Sequence, residues 1–161
     1  MKTYQEVLKL VDYPETCLVI DFETFYDQEY SLSKMSTIEY VCHRLFDFTG
    51  MGYQILNEAV YNYDLPAEFI FKPNIELRIS LLQRSFGLNF NAVTTIFKNA
   101  KFDATILKEK FNILPRYIID IDDLLRHYDA RMSHRMKDVT EMFGLKPKGK
   151  TENFKGLHYE D

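Results

Sequence analysis

Cys17-Leu18-Val19-Ile20-Asp21-Phe22-Glu23-Thr24 is the stretch whose reading decides the fold. Its first four residues are a continuous apolar run, the pattern of a strand buried on both faces, and Asp21-Phe22-Glu23 follows directly. The two-residue period of extended chain points both carboxylates to one side, at the C-terminal end of the strand. Ligands and catalytic groups of α/β sheets collect at that end. With 12 Asp and 12 Glu among 161 residues, chance alone supplies about one Asp-x-Glu, and a second occurs at Asp27-Gln28-Glu29. Context separates them, because Asp27 and Glu29 follow no apolar strand and read as loop acids.

A similar arrangement recurs downstream. Val93-Thr94-Thr95-Ile96-Phe97 reads as a second buried strand, followed by Asn99-Ala100-Lys101-Phe102-Asp103 and a helix over 103–111. An Asp at a helix start has a simple explanation, capping of the first turn. Two acid clusters at strand ends suggest more. If the two strands are neighbours, Asp21, Glu23 and Asp103 converge, and three carboxylates at close quarters cannot all ionise unless cations neutralise them. Hard oxygen donors select Mg²⁺ or Mn²⁺, and a pair of such ions roughly 3.5–4 Å apart serves in-line phosphodiester cleavage.

Outward from these clusters, residues 4–11 predict a short amphipathic helix before Pro14, and 38–48 with 51–56 predict a hairpin turning at Thr49-Gly50. Asn74 is placed to cap a helix over 75–86 that stops at Gly87. Residues 117–121 read as extended, 122–128 as helix, and 133–143 as a helix ending at Gly144. Strands come first as a meander and later alternate with helices, which predicts an α/β fold with a mixed sheet covered by helices.

Composition agrees with a soluble globular chain: 46% hydrophobic, 27% charged, 13 Phe, 11 Tyr, no Trp, and only 6 Gly and 5 Pro. It excludes low-complexity and collagen-like classes. The N-terminus carries no signal-peptide pattern and no apolar run is long enough for a membrane span, so an intracellular, cytoplasmic protein with no membrane partner is expected. Cys17 and Cys42 are too few for a disulfide framework and read as buried thiols in a reducing compartment. His43, His127, His134 and His158 lack zinc spacing, and the glycines form no phosphate loop. Residues 131–150 carry six basic and two acidic side chains, net +4, inside a chain of net charge −4. Such a run is a solvated surface or a track for phosphates.

Ile20-Asp21-Phe22-Glu23-Thr24 resembles the first motif, and Asn99-Ala100-Lys101-Phe102-Asp103 the second, of the DEDD exonuclease superfamily, which has a ribonuclease H-like fold. The longer phrases Asp21 to Asp27, Tyr30 to Met35 and Ser133 to Asp138 resemble the proofreading domain of phage-type family A DNA polymerases, over roughly residues 15–160. The resemblance implies a metal-dependent 3′-to-5′ exonuclease in which Asp21, Glu23 and Asp103 hold two Mg²⁺ or Mn²⁺ ions. It further implies that Thr24, Phe25 and Asn99 contact the 3′-terminal nucleotide, with Phe102 packed beside the site. Its substrate would be the single-stranded or frayed 3′ end of DNA, and its partner a polymerase domain in cis or in trans, in the host-cell cytoplasm if phage-encoded. Phe22, Phe25, Tyr26 and Phe102 are then available for stacking, and Lys34, His134, Arg135, Lys146, Lys148 and Lys150 for contacts to DNA.

The superfamily needs a fourth acid, preceded by Tyr or His. Asp122 sits in a segment that in the family precedes the third motif and caps a helix. Asp138 lies one helical turn after His134 and is a candidate, weighed against a capping or solvated role. Tyr159-Glu160-Asp161 has too short a spacing and stands at the end of the chain. The expectation is one exonuclease-like domain over 1–161 that stops before its third motif. The alternative is a catalytically incomplete ribonuclease H-like module that binds nucleic acid or a polymerase.

Overall fold

The computed structural model describes residues 3–57, 66–146 and 156. Helix α1 (Tyr4–Leu10) starts from a Thr3/Glu6 capping box, and strand β1 (Cys17–Thr24) follows. Next come α2 (Thr37–Cys42), β2 (Phe48–Leu56), β3 (Glu68–Phe71) and, after a 3₁₀ turn at Lys72–Asn74, α3 (Ile75–Phe86). The remainder alternates: β4 (Thr94–Phe97), α4 (Ala100–Phe111), β5 (Tyr117–Asp120), α5 (Ile121–Tyr128) and α6 (Met136–Met142). The five strands form one sheet in the order β3-β2-β1-β4-β5. The meander β1-β2-β3 is antiparallel, while β1-β4 and β4-β5 are parallel. This is the expected mixed sheet flanked by helices, a ribonuclease H-like arrangement.

The buried face of the sheet is built by alternate residues of β1, namely Leu18, Ile20 and Phe22, packed with Met51 and Tyr53 of β2 and with Ile106 and Leu107 of α4. The Phe22 ring stacks on Phe111 of α4 at 6.1 Å and lies 5.6 Å from Phe48. These contacts pin α4 across the C-terminal half of β1. No helix among the described residues is long and apolar enough to cross a membrane.

Several expectations need correction. The predicted hairpin over 38–48 and 51–56 does not form. Ser36 and Glu39 make a reciprocal capping box that starts α2, and Thr49-Gly50 lies inside one continuous strand. Gly50 marks a close approach rather than a turn: a Cβ there would stand 2.2 Å from the Phe69 ring of β3. Asn74 makes no side-chain cap to α3, which is entered through the 3₁₀ turn containing Pro73; Gly87, at φ 87°, does end it. Helix α6 begins at Met136, three residues later than expected. Cys17 is buried, but Cys42 is exposed at the end of α2.

Candidate acidic site

The geometry of the site follows from two parallel strands of unequal reach. Register between β1 and β4 runs only from Cys17↔Thr94 to Val19↔Ile96, so β1 continues toward Thr24 after β4 has turned away into α4. Asp103, from the first turns of α4, fills that step: its Oδ1 accepts the Phe22 N–H at 2.9 Å. Asp103 is therefore not a cap. Helix α4 starts at Ala100, three residues earlier than the sequence suggests, and the carboxylate reaches across to the neighbouring strand instead of its own first turn.

The surroundings of Asp103 are unfavourable to a negative charge. Its residue is 1% exposed, and burial foremost, with the negative charges of Asp21 and Glu23, pushes its carboxyl from the ordinary 3.8 to about 8, against the opposing pull of the Phe22 N–H. Asp21 is exposed and Glu23 half-buried. The three acids that the sequence singled out are thus brought within range of one another. They do not make a closed cage: among the described residues no three His, Cys, Asp or Glu side chains stand close enough together to hold a metal ion. Three carboxylates gathered in this way match the chemistry of a hard divalent cation, and repulsion between negative charges opposes their closer approach without one.

Beside Glu23 opens a pocket of roughly 260 Å³ lined by Phe22, Glu23, Thr24, Tyr26, Ser31, Leu32, Tyr40 and Phe102. Of the residues that the sequence reading assigns to nucleotide contact or stacking, Thr24, Tyr26 and Phe102 are part of the wall. The pocket's rim is held by Tyr40. Its hydroxyl donates to the Phe25 carbonyl at 2.5 Å and so accepts from the Thr24 hydroxyl at 2.9 Å. Its ring stacks on Tyr30 at 4.3 Å, and the Tyr30 hydroxyl donates to the Tyr40 carbonyl at 2.7 Å. Burial raises the proton affinity of both phenols, so both stay neutral donors through the physiological range.

Other candidate residues fall elsewhere. Phe25 is buried, stacked on Tyr30, and absent from the pocket wall, so it is a core residue and not a free stacking platform. Phe22 lines the pocket, but its ring is committed to the core. Asn99 is exposed at the N-cap of α4 with φ 64° and ψ 63°, and its side chain caps nothing. Lys34 is held by Glu29 at 2.9 Å. Arg135 and Lys146 are exposed, whereas His134 is partly buried with an unsatisfied Nδ1. None of these basic residues lines the pocket. Asp138 is bonded by the Ser133 hydroxyl at the start of α6. Lys148, Lys150, His158 and Tyr159-Glu160-Asp161 lie outside the described residues.

Sequence reasoning missed Tyr40 and Asp120. Tyr40 carried no signal beyond being one of 11 tyrosines. Asp120 did carry one: it ends the apolar run Tyr117-Ile118-Ile119 as Asp21 ends its own. Its Oδ1 accepts the Asn99 N–H at 3.0 Å and the Asp122 N–H at 2.9 Å, and its Oδ2 accepts the Ala100 N–H at 2.9 Å.

No known family profile and no curated protein matches the sequence. Solved structures do resemble the fold. The catalytic core of RRP6 from Trypanosoma brucei superposes with a TM-score of 0.56 at 12% identity, over 98% of this chain and 36% of that one. Exonuclease I in its apo form gives a TM-score of 0.51 at 14% identity, over 81% of this chain and 37% of that one. A product-bound exonuclease I gives the same score and identity, with 39% of its chain covered. The chain spans little more than a third of each of these structures, and at such identities the likeness is one of fold.

Proposed function

We propose that the chain is a divalent-metal-dependent 3′-to-5′ exonuclease domain acting on nucleic acid. The observation that carries the reading is the Asp103 carboxyl, bonded to the Phe22 N–H and raised in proton affinity by burial foremost and then by Asp21 and Glu23, at the C-terminal end of the central strand and next to the pocket. Fold likeness to structures named as a catalytic core and as exonuclease I is analogy that agrees with it.

Asp21, Glu23 and Asp103 would hold Mg²⁺ or Mn²⁺, and the bound ions would supply water activation near neutral pH and charge neutralisation at the leaving oxygen. The chain's own residues do the rest. Phe102 and Tyr26 offer faces against which a terminal base can lie, and Thr24, oriented by Tyr40, presents its oxygen beside Glu23. Asp103, whose burial favours the protonated form, would give up that proton on binding a divalent cation. Hydrolysis of the terminal phosphodiester would release a nucleoside monophosphate. The finer reading, proofreading beside a family A DNA polymerase, rests on the sequence phrases between residues 15 and 160.

A second reading has its own observation: no three-ligand metal cluster is closed among the described residues, and Asp138 is engaged by Ser133 rather than offered as a fourth acid. On that reading the chain binds nucleic acid without cutting it. A 5′-labelled single-stranded oligonucleotide incubated with Mn²⁺ decides between them. Stepwise shortening from the 3′ end, lost in Asp21→Ala and Asp103→Asn, is the result expected for the enzyme. Retention of the strand without shortening supports the binding module, and shortening that survives both substitutions overturns the site assignment.

A further inference from the structure

The turn between β4 and α4 is gripped from one side by the junction between β5 and α5. One carboxylate, Asp120, accepts three backbone N–H groups: Asn99 and Ala100 at the start of α4, and Asp122 at the start of α5. Beside it, Lys98 Nζ reaches Asp122 Oδ1 at 3.0 Å, with both side chains largely covered. Asp120 sits opposite Phe97 in the parallel ladder, so the strands bring the carboxylate to the turn in fixed register.

The grip answers a local problem. Asn99 adopts the left-handed conformation, which costs an ordinary residue about 1 kcal/mol, less for Asn, and its side chain does not cap the helix. The first N–H groups of α4 would be left without acceptors. Asp120 supplies both, and its negative charge also suits the positive end of the helix. With the N-terminus of α4 occupied in this way, that helix end is not a phosphate site, so what it contributes to chemistry is position.

What it positions lies one turn on. Asp103 meets Phe22 of β1 across the step left by the shorter β4, with no sheet hydrogen bonds of its own to hold it there. We propose that Asp120, braced by the Lys98–Asp122 pair, is a positioning residue that fixes the start of α4 and through it the Asp103 carboxyl against β1. The functional consequence rests on the exonuclease reading of the site; the mechanical one does not. In this view Asp120 touches neither substrate nor metal and acts through Asn99 and Ala100.

Amide hydrogen exchange on the whole chain tests it, comparing wild type, Asp120→Ala and Asp123→Ala, the last removing an exposed carboxylate of α5 that pairs with Arg126. A plain cap would release the amides of Asn99, Ala100 and Asp122 alone. A positioning role also accelerates the Phe22 amide about tenfold or more, on a strand Asp120 does not touch, while Ile20 of the same strand and all amides of Asp123→Ala stay as in wild type. An unchanged Phe22 amide overturns the proposal, as does equal acceleration of Ile20 and Phe22, which would mean general loosening. The same three proteins are assayed with Mn²⁺ on the labelled oligonucleotide. Expected is a fall in kcat of about a hundredfold for Asp120→Ala with Asp123→Ala unaffected, the scale of an ångström-level misplacement. Wild-type activity with Asp120→Ala within a factor of three of it overturns the catalytic part of the proposal. Absence of wild-type activity overturns the exonuclease reading and leaves the exchange result to decide the mechanical part.

Discussion

Replacing Asp103 with Asn makes the buried carboxyl's energetics measurable. In the folded chain this group holds its proton up to about pH 8, against 3.8 for the ordinary carboxyl. Because the folded-state value is the higher one, the stabilising contribution is fully present below about pH 4 and is lost as pH rises toward 8. Each unit is worth about 1.4 kcal/mol, so between about pH 5 and pH 7 this single group should cost the metal-free protein about 3 kcal/mol. Asn reproduces the shape of the protonated acid and keeps an oxygen for the Phe22 N–H, but does not titrate. Urea unfolding in EDTA, followed at several pH values, should therefore show wild-type stability falling by that amount relative to Asp103→Asn between about pH 5 and pH 7, the two curves diverging from about pH 4 and running parallel above about pH 8. Added Mg²⁺ should recover wild-type stability at the alkaline end and leave Asp103→Asn unmoved, since a ligand stabilises only the state that binds it. Parallel curves across the whole range would show that Asp103 is ionised at no cost, and the convergence of the three acids would be refuted.

Tyr40→Phe removes a buried hydroxyl that serves two partners, leaving the Phe25 carbonyl without it; we expect a loss of about 1–3 kcal/mol in urea unfolding, and a rise in KM larger than any fall in kcat, because Thr24 loses its guide while the acids do not. Phe22→Ala should destabilise by about 3–5 kcal/mol, since its ring joins β1 to Phe111 of α4, and a thermal melt within a degree of wild type would contradict the packing described. If Arg135 and Lys146 contact phosphates, the double substitution to Ala should lower the slope of log affinity against log salt by about 1.4 for a single-stranded oligonucleotide; an unchanged slope would place both away from the nucleic acid.

Much of this site could be read from residue order, for a physical reason. Apolar strand followed at once by acid is a pattern whose outcome depends only on strand period and on parallel neighbours, so the approach of Asp21 and Glu23 to Asp103 is legible without knowing a single contact. Reasoning failed where a residue's role depends on what lies opposite. Gly50 reads as a turn until Phe69 of β3 is set against it, and Phe25 reads as a stacking surface until Tyr30 covers it. The start of α4 was misplaced because the left-handed turn at Asn99 is stabilised from β5, twenty-one residues away in sequence. Asp120 follows the same strand-then-acid rule as the others, and applying that rule to every strand would have found it.

The early ending of β4 has a consequence for how such a chain can change. A sheet gains regularity when neighbouring strands match in length, and two further β4 residues in register with Asp21 and Phe22 would offer backbone partners to the very edge that Asp103 now occupies. Such a change would tidy the ladder and evict the carboxyl, so selection for a better-formed sheet and selection for chemistry pull this one junction in opposite directions. Variants chosen only for thermal resistance should collect there, and should be the ones that lose the site.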